Sequence, residues 1–367
     1  MSEPSLIRPN VGRMVPYSPG KPIEEVRREL GLERIVKLAS NENPLGPSPK
    51  AVEAIREAAA QLHLYPDASG HDLVQAIAAK HAVAPSQVVL GNGSDELIHL
   101  LGLITLAGPG DRLVMGHPSF VRYEAAAQIA DAALVHVPVD ADFRLDLNAM
   151  AKACDERTKL VFVANPNNPT GTIVRESELR AFLADLPETT LAVLDEAYFE
   201  FAADEPGFPN GLDFLREGHR VFVMRTFSKA YGLAGIRIGY GFGSNAVVDA
   251  IHRAREPFNV NSLAQAAAIA ALGDDEHLQR TLSVNREGMA RIEAMLRDLG
   301  GRCSRSFANF VYADMGLPVE GLFQGLLRRG VIIRAGRPMG GPNALRITIG
   351  TPEEVSILEE ALVGLAW

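Results

Sequence analysis

The chain has 367 residues, 47% of them hydrophobic and 22% charged, with a net charge of −9. That length exceeds the size at which a single core usually stops growing, so two domains are expected, and the ordinary globular composition argues against disorder or a repeat array. Acids and bases are mixed along the chain, which leaves no cationic footprint for nucleic acid, and the longest uncharged apolar stretch, residues 97–110, is too short to span a bilayer.

In chain order, the first strand signal is VVLG at 88–91, which runs into GNGSDE at 91–96. A strand that passes through glycines into a helix, here with Ser94 as the expected N-cap, suits phosphate, because the helix dipole and backbone N–H groups face the anion. RLVMG (112–116), LVHVPV (134–139), KLVFVAN (159–165), LAVLDE (191–196) and RVFVMRT (220–226) follow, separated by helical patterns such as 51–61 and 176–186. Alternation of this kind predicts a mostly parallel sheet covered on both faces. RIGYGFG at 237–243 comes about ten residues after the preceding strand. That is too short for a helical crossover, so this strand is expected to run antiparallel and make the sheet mixed. Residues 261–298 are largely helical with a break near Gly273, and the tail alternates strands and helices as a second, smaller domain. The two cysteines, Cys154 and Cys303, lack metal-ligand spacing and the density of a disulfide scaffold. They read as buried thiols of a reducing compartment; with no apolar signal core at the N-terminus, a cytoplasmic protein without a bound metal is expected.

Four clusters carry chemistry, and three of them fall at carboxyl ends of predicted strands, where open α/β sheets bind ligands. They are GNGSDE, ANPNNPTG at 164–171, LDEAY with Asp195, and RTFSKAYGLAGIR with Lys229. Each alone has an ordinary reading: an acid that caps a turn, a solvated lysine, a pair of Asn-Pro turns.

Together and in this order the four resemble the pyridoxal-phosphate aminotransferases of fold type I, over almost the whole chain. The resemblance implies an α/β large domain with a seven-stranded, mostly parallel sheet at 41–256, a linker helix with a small α/β domain at 257–367, and an N-terminal arm at 1–40. It implies that Lys229 forms the internal Schiff base and then moves the proton, that Asp195 pairs with the pyridine nitrogen, and that Asn168 and Tyr198 hold the cofactor's 3′ oxygen. The cofactor phosphate is assigned to Ser94, Asp95, Thr226, Ser228 and Arg237, with Tyr65 reaching in from a second subunit; a homodimer is therefore implied. Phe120 falls where a ring stacks on the cofactor.

VPYSPGKP, KLASNENPLGPSP, YPD, GNGSDELI, PFNVNSLAQAAA and RPMGGPNALRITIGT look like the histidinol-phosphate aminotransferase family at nearly every landmark. That resemblance implies amino-group exchange between histidinol phosphate and 2-oxoglutarate, the amino group returning as glutamate. Arg346, Arg334 and Tyr17 become the candidate substrate residues, with Asn168 beside them. An aromatic amino acid aminotransferase acting on phenylalanine is the alternative, and a decarboxylase of an amino acid phosphate a third. A nicotinamide dehydrogenase would need a Gly-x-Gly-x-x-Gly after its first strand, and GNGSDE lacks the third glycine. A ligand-sensing module on the same fold would carry a DNA-binding extension or lack the lysine.

Overall fold

The computed structural model describes residues 6–16 and 20–365. Among these residues the strands are β1 (Val36–Lys37), β2 (Val88–Gly91), β3 (Arg112–His117), β4 (Ala133–Pro138), β5 (Thr158–Ala164), β6 (Leu191–Asp195), β7 (Val221–Thr226), β8 (Gly239–Phe242), β9 (Arg302–Cys303), β10 (Phe310–Asp314), β11 (Val331–Ile332), β12 (Arg334–Ala335) and β13 (Ala344–Thr348). Seven of them form one sheet in the order β2-β8-β7-β6-β5-β3-β4. In it β8 runs antiparallel to both neighbours, β2 and β7, while the β7-β6, β6-β5, β5-β3 and β3-β4 pairs are parallel. The mixed sheet expected from the short connection before β8 is the one observed.

Alternate side chains of each strand enter two separate apolar layers, as the two-residue period of a strand requires. From β5, Val161 and Val163 pack in one layer, whereas Leu160, Phe162 and Ala164 pack in the other. The first layer also holds the alanine face of the helix Ser262–Leu272, whose Ala264, Ala267, Ala268 and Ala271 are buried against the helices Pro49–Ala59 and His71–His81. Small side chains let these three helices approach closely. Several helix starts are fixed by side chains that satisfy orphan N–H groups: Ser48 accepts from Ala51 N at 3.1 Å, Asn261 from Ala264 N at 2.8 Å, and Thr351 forms a reciprocal box with Glu354. Each such cap is worth about 1 kcal/mol.

A second apolar cluster joins β10, β11 and β13 to the helices Asp275–Asp298, Glu320–Arg328 and Pro352–Leu362. The four-stranded sheet β12-β13-β10-β9 lies there, and β1 pairs in parallel with β11, tying Val36 and Leu38 to this cluster. Residues 36–46 thus run from the smaller cluster to the loop that follows β7. The loop contact is close: a Cβ on Gly232 would lie 2.2 Å from Gly46 O, and Gly232 has φ +69°.

Two local expectations change. Gly93, with φ +77°, is the N-cap of the helix Ser94–Thr105, and Ser94 is its first helical residue. The positive φ at the turn selects the glycine and moves the helix boundary by one position. The cysteines are half-buried rather than buried, and burial raises the Cys154 thiol to about 11.

Candidate active site

The carboxyl ends of β2, β5, β6 and β7 lie on the same edge of the large sheet and deliver GNGSDE, the Asn-Pro loop, Asp195 and the lysine loop to one region. Asp195 is the last residue of β6 and is only 5% exposed. Tyr123 Oη donates to its Oδ2 at 2.6 Å and the Ala197 amide to its Oδ1 at 3.1 Å. Burial raises this carboxyl to about 6, and the two donated hydrogen bonds oppose that rise.

Lys229 sits three residues past β7, half-buried, with Nζ donating to Ser40 O at 3.3 Å and lying 5.8 Å from the centre of the Tyr198 ring. Burial, reinforced by the Arg346 guanidinium, lowers its ammonium to about 8. A lysine so placed has an appreciable neutral fraction near neutrality and can act as a nucleophile or a base.

Tyr198 is buried, and its hydroxyl accepts from Asn41 Nδ2 at 2.8 Å. Asn41 is locked in turn by Thr348, whose Oγ1 donates to Asn41 Oδ1 at 3.0 Å and accepts from Asn41 N at 2.9 Å. Arg346, 7% exposed on β13, donates through one terminal nitrogen to Asn168 Oδ1 and through the other to Ala39 O at 2.8 Å. Its register partner on β12 is Arg334. Residues directly opposed in an antiparallel pair send their side chains to the same face, so two guanidinium groups leave the small sheet together.

At the start of the helix Ser94–Thr105 the Arg237 guanidinium packs where a Cβ on Gly93 would be, 2.3 Å from one terminal nitrogen. Arg237 itself has φ +60°, and it donates to Ser228 Oγ at 3.4 Å, while Thr226 Oγ1 accepts from Ser228 N at 3.1 Å. The first amides of a helix need partners from outside it. Amides at Ser94 and Asp95, two hydroxyls and a cation therefore meet at this helix start, a donor set whose chemistry suits a phosphate dianion. Asp95 also lies 3.8 Å from Arg122, a contact that holds this carboxylate toward the neighbouring helix.

Phe120 packs edge-on to Tyr123, with centroids 5.6 Å apart. Tyr65 is 83% exposed and stacks on Phe258 at 4.7 Å. Tyr17 lies outside the described residues. The structure thus gathers Lys229, Tyr198, Arg346 and Asn168 on one side and Asp195 and Phe120 on another, with Ser94, Thr226, Ser228 and Arg237 at the helix start. It adds Tyr123 and Asn41, which carry no motif of their own. Asn41 sits inside KLASNENP, a stretch already noted, and Tyr123 three residues past Phe120, but only the folded chain shows the bonds they make. A separate cleft of about 510 Å³, lined by Arg144, Arg175, Arg302 and Phe307 among others, contains none of these groups.

Comparison with known proteins gives the family. A family profile described as aminotransferase class I and II matches residues 33–362. A histidinol-phosphate aminotransferase of Moorella thermoacetica is 47% identical over 95% of this chain and 89% of its own length. One of an Anaeromyxobacter species is 49% identical over 95% of this chain and 96% of its own. A crystal structure of histidinol-phosphate aminotransferase from Sinorhizobium meliloti in complex with pyridoxal-5′-phosphate superposes with a TM-score of 0.89 at 31% identity, covering 98% of this chain and 97% of that one. A mixed seven-stranded sheet with a lysine, an aspartate and a phosphate-suited helix start along one edge, matched over nearly its full length, places this chain in the class I and II aminotransferases.

Proposed function

We propose that the chain is a pyridoxal-phosphate-dependent transaminase that moves an amino group between histidinol phosphate and 2-oxoglutarate. The observation that carries the reading is the cationic end of the site. Arg346 is buried within reach of Asn168 and opposite Arg334, beside the lysine that it helps to deprotonate. A phosphorylated amine and a dicarboxylate share the need for such a fork.

Pyridoxal phosphate supplies the electron sink for charge that develops at the substrate carbon. Lys229 would hold the cofactor's aldehyde carbon through Nζ and, when free, would take and return the proton of the substrate carbon. Asp195 holds the ring nitrogen cationic. Asn41 occupies a lone pair of the Tyr198 hydroxyl, so that hydroxyl offers its proton to the cofactor's 3′ oxygen, and Asn168, its carbonyl oxygen taken by Arg346, offers its amide N–H to the same atom. Ser94, Asp95, Thr226, Ser228 and Arg237 take the phosphate, and Phe120 packs on the ring. Residues 1–40, 41–256 and 257–367 serve as arm, cofactor-binding domain and smaller domain, with the reaction between the last two.

We place the enzyme in the cytoplasm, as a homodimer in which the exposed Tyr65 and Phe258 pair is covered by a second copy. No helix among the described residues is long and apolar enough to cross a membrane. Tyr17 is assigned to the substrate phosphate from the partner's arm.

A substrate panel with 2-oxoglutarate as common acceptor tests the reading. Histidinol phosphate is expected to give the highest kcat/KM, and a higher value for phenylalanine defeats the assignment. In the same assay Arg346→Lys, which keeps the charge but loses the fork, should lower kcat/KM for histidinol phosphate about 10- to 100-fold, the size of one or two hydrogen bonds to an anion. The depressed lysine sets a pH dependence. Only the neutral amine attacks the aldehyde, so the rate at which apoenzyme is reconstituted should climb with pH and level off above about 8. Stopped-flow absorbance across the range checks this, and a rate still climbing at pH 10 would mean an unperturbed lysine.

A further inference from the structure

Resting on the cofactor reading above, we propose that Tyr123 is a positioning residue that keeps Asp195 ionised, so that the proton shared between this carboxylate and the cofactor ring nitrogen resides on the nitrogen. Tyr123 belongs to the helix Arg122–Ala130 and is 0% exposed. Its ring is clamped flat against Phe162 of β5, with centroids 4.2 Å apart and planes 13° from parallel, and Phe120 meets it edge-on. The clamp aims the hydroxyl at Asp195 Oδ2 at 2.6 Å, a charge-assisted geometry between two buried groups.

The proton balance explains why this matters. Asp195 faces burial that favours its neutral form, and a neutral Asp195 would leave the ring nitrogen without its proton and weaken the electron sink. The Ala197 amide steadies Oδ1, while Oδ2 depends on the phenol. Burial and the adjacent carboxylate push the Tyr123 hydroxyl well above its ordinary value, so it stays protonated and serves only as a donor. Tyrosine rather than phenylalanine at position 123 is thus a choice about charge on a group it touches, not only about filling the space beside Phe162.

Tyr123→Phe keeps the ring and removes the donor. The expected result is a fall in kcat of roughly 10-fold, the size of one charge-assisted hydrogen bond, with KM little changed. The acid limb of the kcat profile should move to higher pH, and the ¹⁵N resonance of the labelled ring nitrogen should move toward its unprotonated position. Incorporation of 3-fluorotyrosine at position 123, a stronger donor that preserves packing, should move the acid limb to lower pH. Unchanged nitrogen resonance and pH profiles in both variants overturn the proposal. Asp195→Asn, measured alongside, separates the two levels: if it too leaves the nitrogen unchanged, the cofactor reading fails, whereas a shift in Asp195→Asn alone removes only the role of Tyr123.

A different observation carries a second inference. The ligand atoms of His117, Glu124 and His136 lie within 4.8 Å of one another at the outer edge of the large sheet. We infer that these three residues form a binding site for a zinc-like divalent ion, which the sequence concealed because β3, the helix Arg122–Ala130 and β4 each supply one ligand. A tetrahedral ion with bonds of about 2.1 Å sets its donors about 3.4 Å apart. His136 Nε2 and Glu124 Oε1 are 3.3 Å apart, and the two imidazoles lie side by side with centroids 5.0 Å apart. Both histidines are exposed, so an ion can enter and keep an open position for water.

Titrating the holoenzyme with zinc ions by calorimetry should show one site per chain that is lost in both His136→Ala and Glu124→Ala, with transamination by the metal-free variants unchanged. No such site in the wild type, or a site that survives both substitutions, overturns the inference.

Discussion

Replacing Lys229 with alanine is expected to lower transamination by at least about 10,000-fold, because in the proposed mechanism one substitution removes both the amine that holds the cofactor and the group that moves the substrate proton. The structure adds a reason to expect no substitute. Nζ donates to Ser40 O and lies 5.8 Å from the centre of the Tyr198 ring, inside the fold. Cofactor should still bind, since the donor set proposed for its phosphate at Ser94, Ser228 and Arg237 is untouched. Borohydride treatment should therefore fix cofactor mass onto the wild-type chain but not onto Lys229→Ala, as read by intact mass spectrometry. Glutamate formation should fall to background in parallel. A variant that still acquires the label, or keeps more than a small percentage of its rate, would move the covalent role to another lysine.

The central sheet was legible almost residue by residue because a strand buried on both faces is a continuous apolar run. KLVFVAN becomes Thr158–Ala164, and LAVLDE becomes Leu191–Asp195 with the candidate acid as its last residue. The reversed strand was legible from a connection too short for a crossover. Hidden from the sequence was what depends on long-range closure. Asn41 reaches Tyr198 across 157 positions and Thr348 across 307, and no local pattern marks an asparagine for either bond. No motif marks Tyr123, and its bond to Asp195 spans 72 positions. The N-cap was misplaced by one residue because serine is the usual cap, whereas here a positive φ was needed and glycine took the position. Motifs reveal groups that touch ligand. The residues that hold those groups in place are supplied by neighbours in space.

Beneath the reacting groups lies a buried ion pair whose disruption should have the largest effect on stability. Arg225 and Glu196 are 1% and 3% exposed, and they immediately precede Thr226 and follow Asp195. The guanidinium donates to Glu196 Oε2 through Nε at 2.9 Å and through a terminal nitrogen at 2.7 Å, with Asn210 Oδ1 at 2.9 Å, and it lies 3.5 Å from the centre of the Phe199 ring. Glu196 Oε1 accepts from Gly211 N at 2.6 Å, and a Cβ on Gly211 would sit only 2.7 Å from that oxygen. Arg225→Met fills most of the volume but leaves a carboxylate in an apolar layer, which should destabilise the fold by about 3–5 kcal/mol. Burial already favours the neutral form of Glu196, so the stranded acid will take up a proton and the loss will grow with pH above its ordinary range. Combining Arg225→Met with Glu196→Gln removes the charge as well as its partner and should recover part of the loss, the signature of a coupled pair. Urea unfolding of apoenzyme at pH 6 and pH 8 measures both effects. A single variant within about 1 kcal/mol of wild type at both pH values would show that the pair is solvated or dispensable, and that the apolar layers alone hold Asp195 and Thr226 in register.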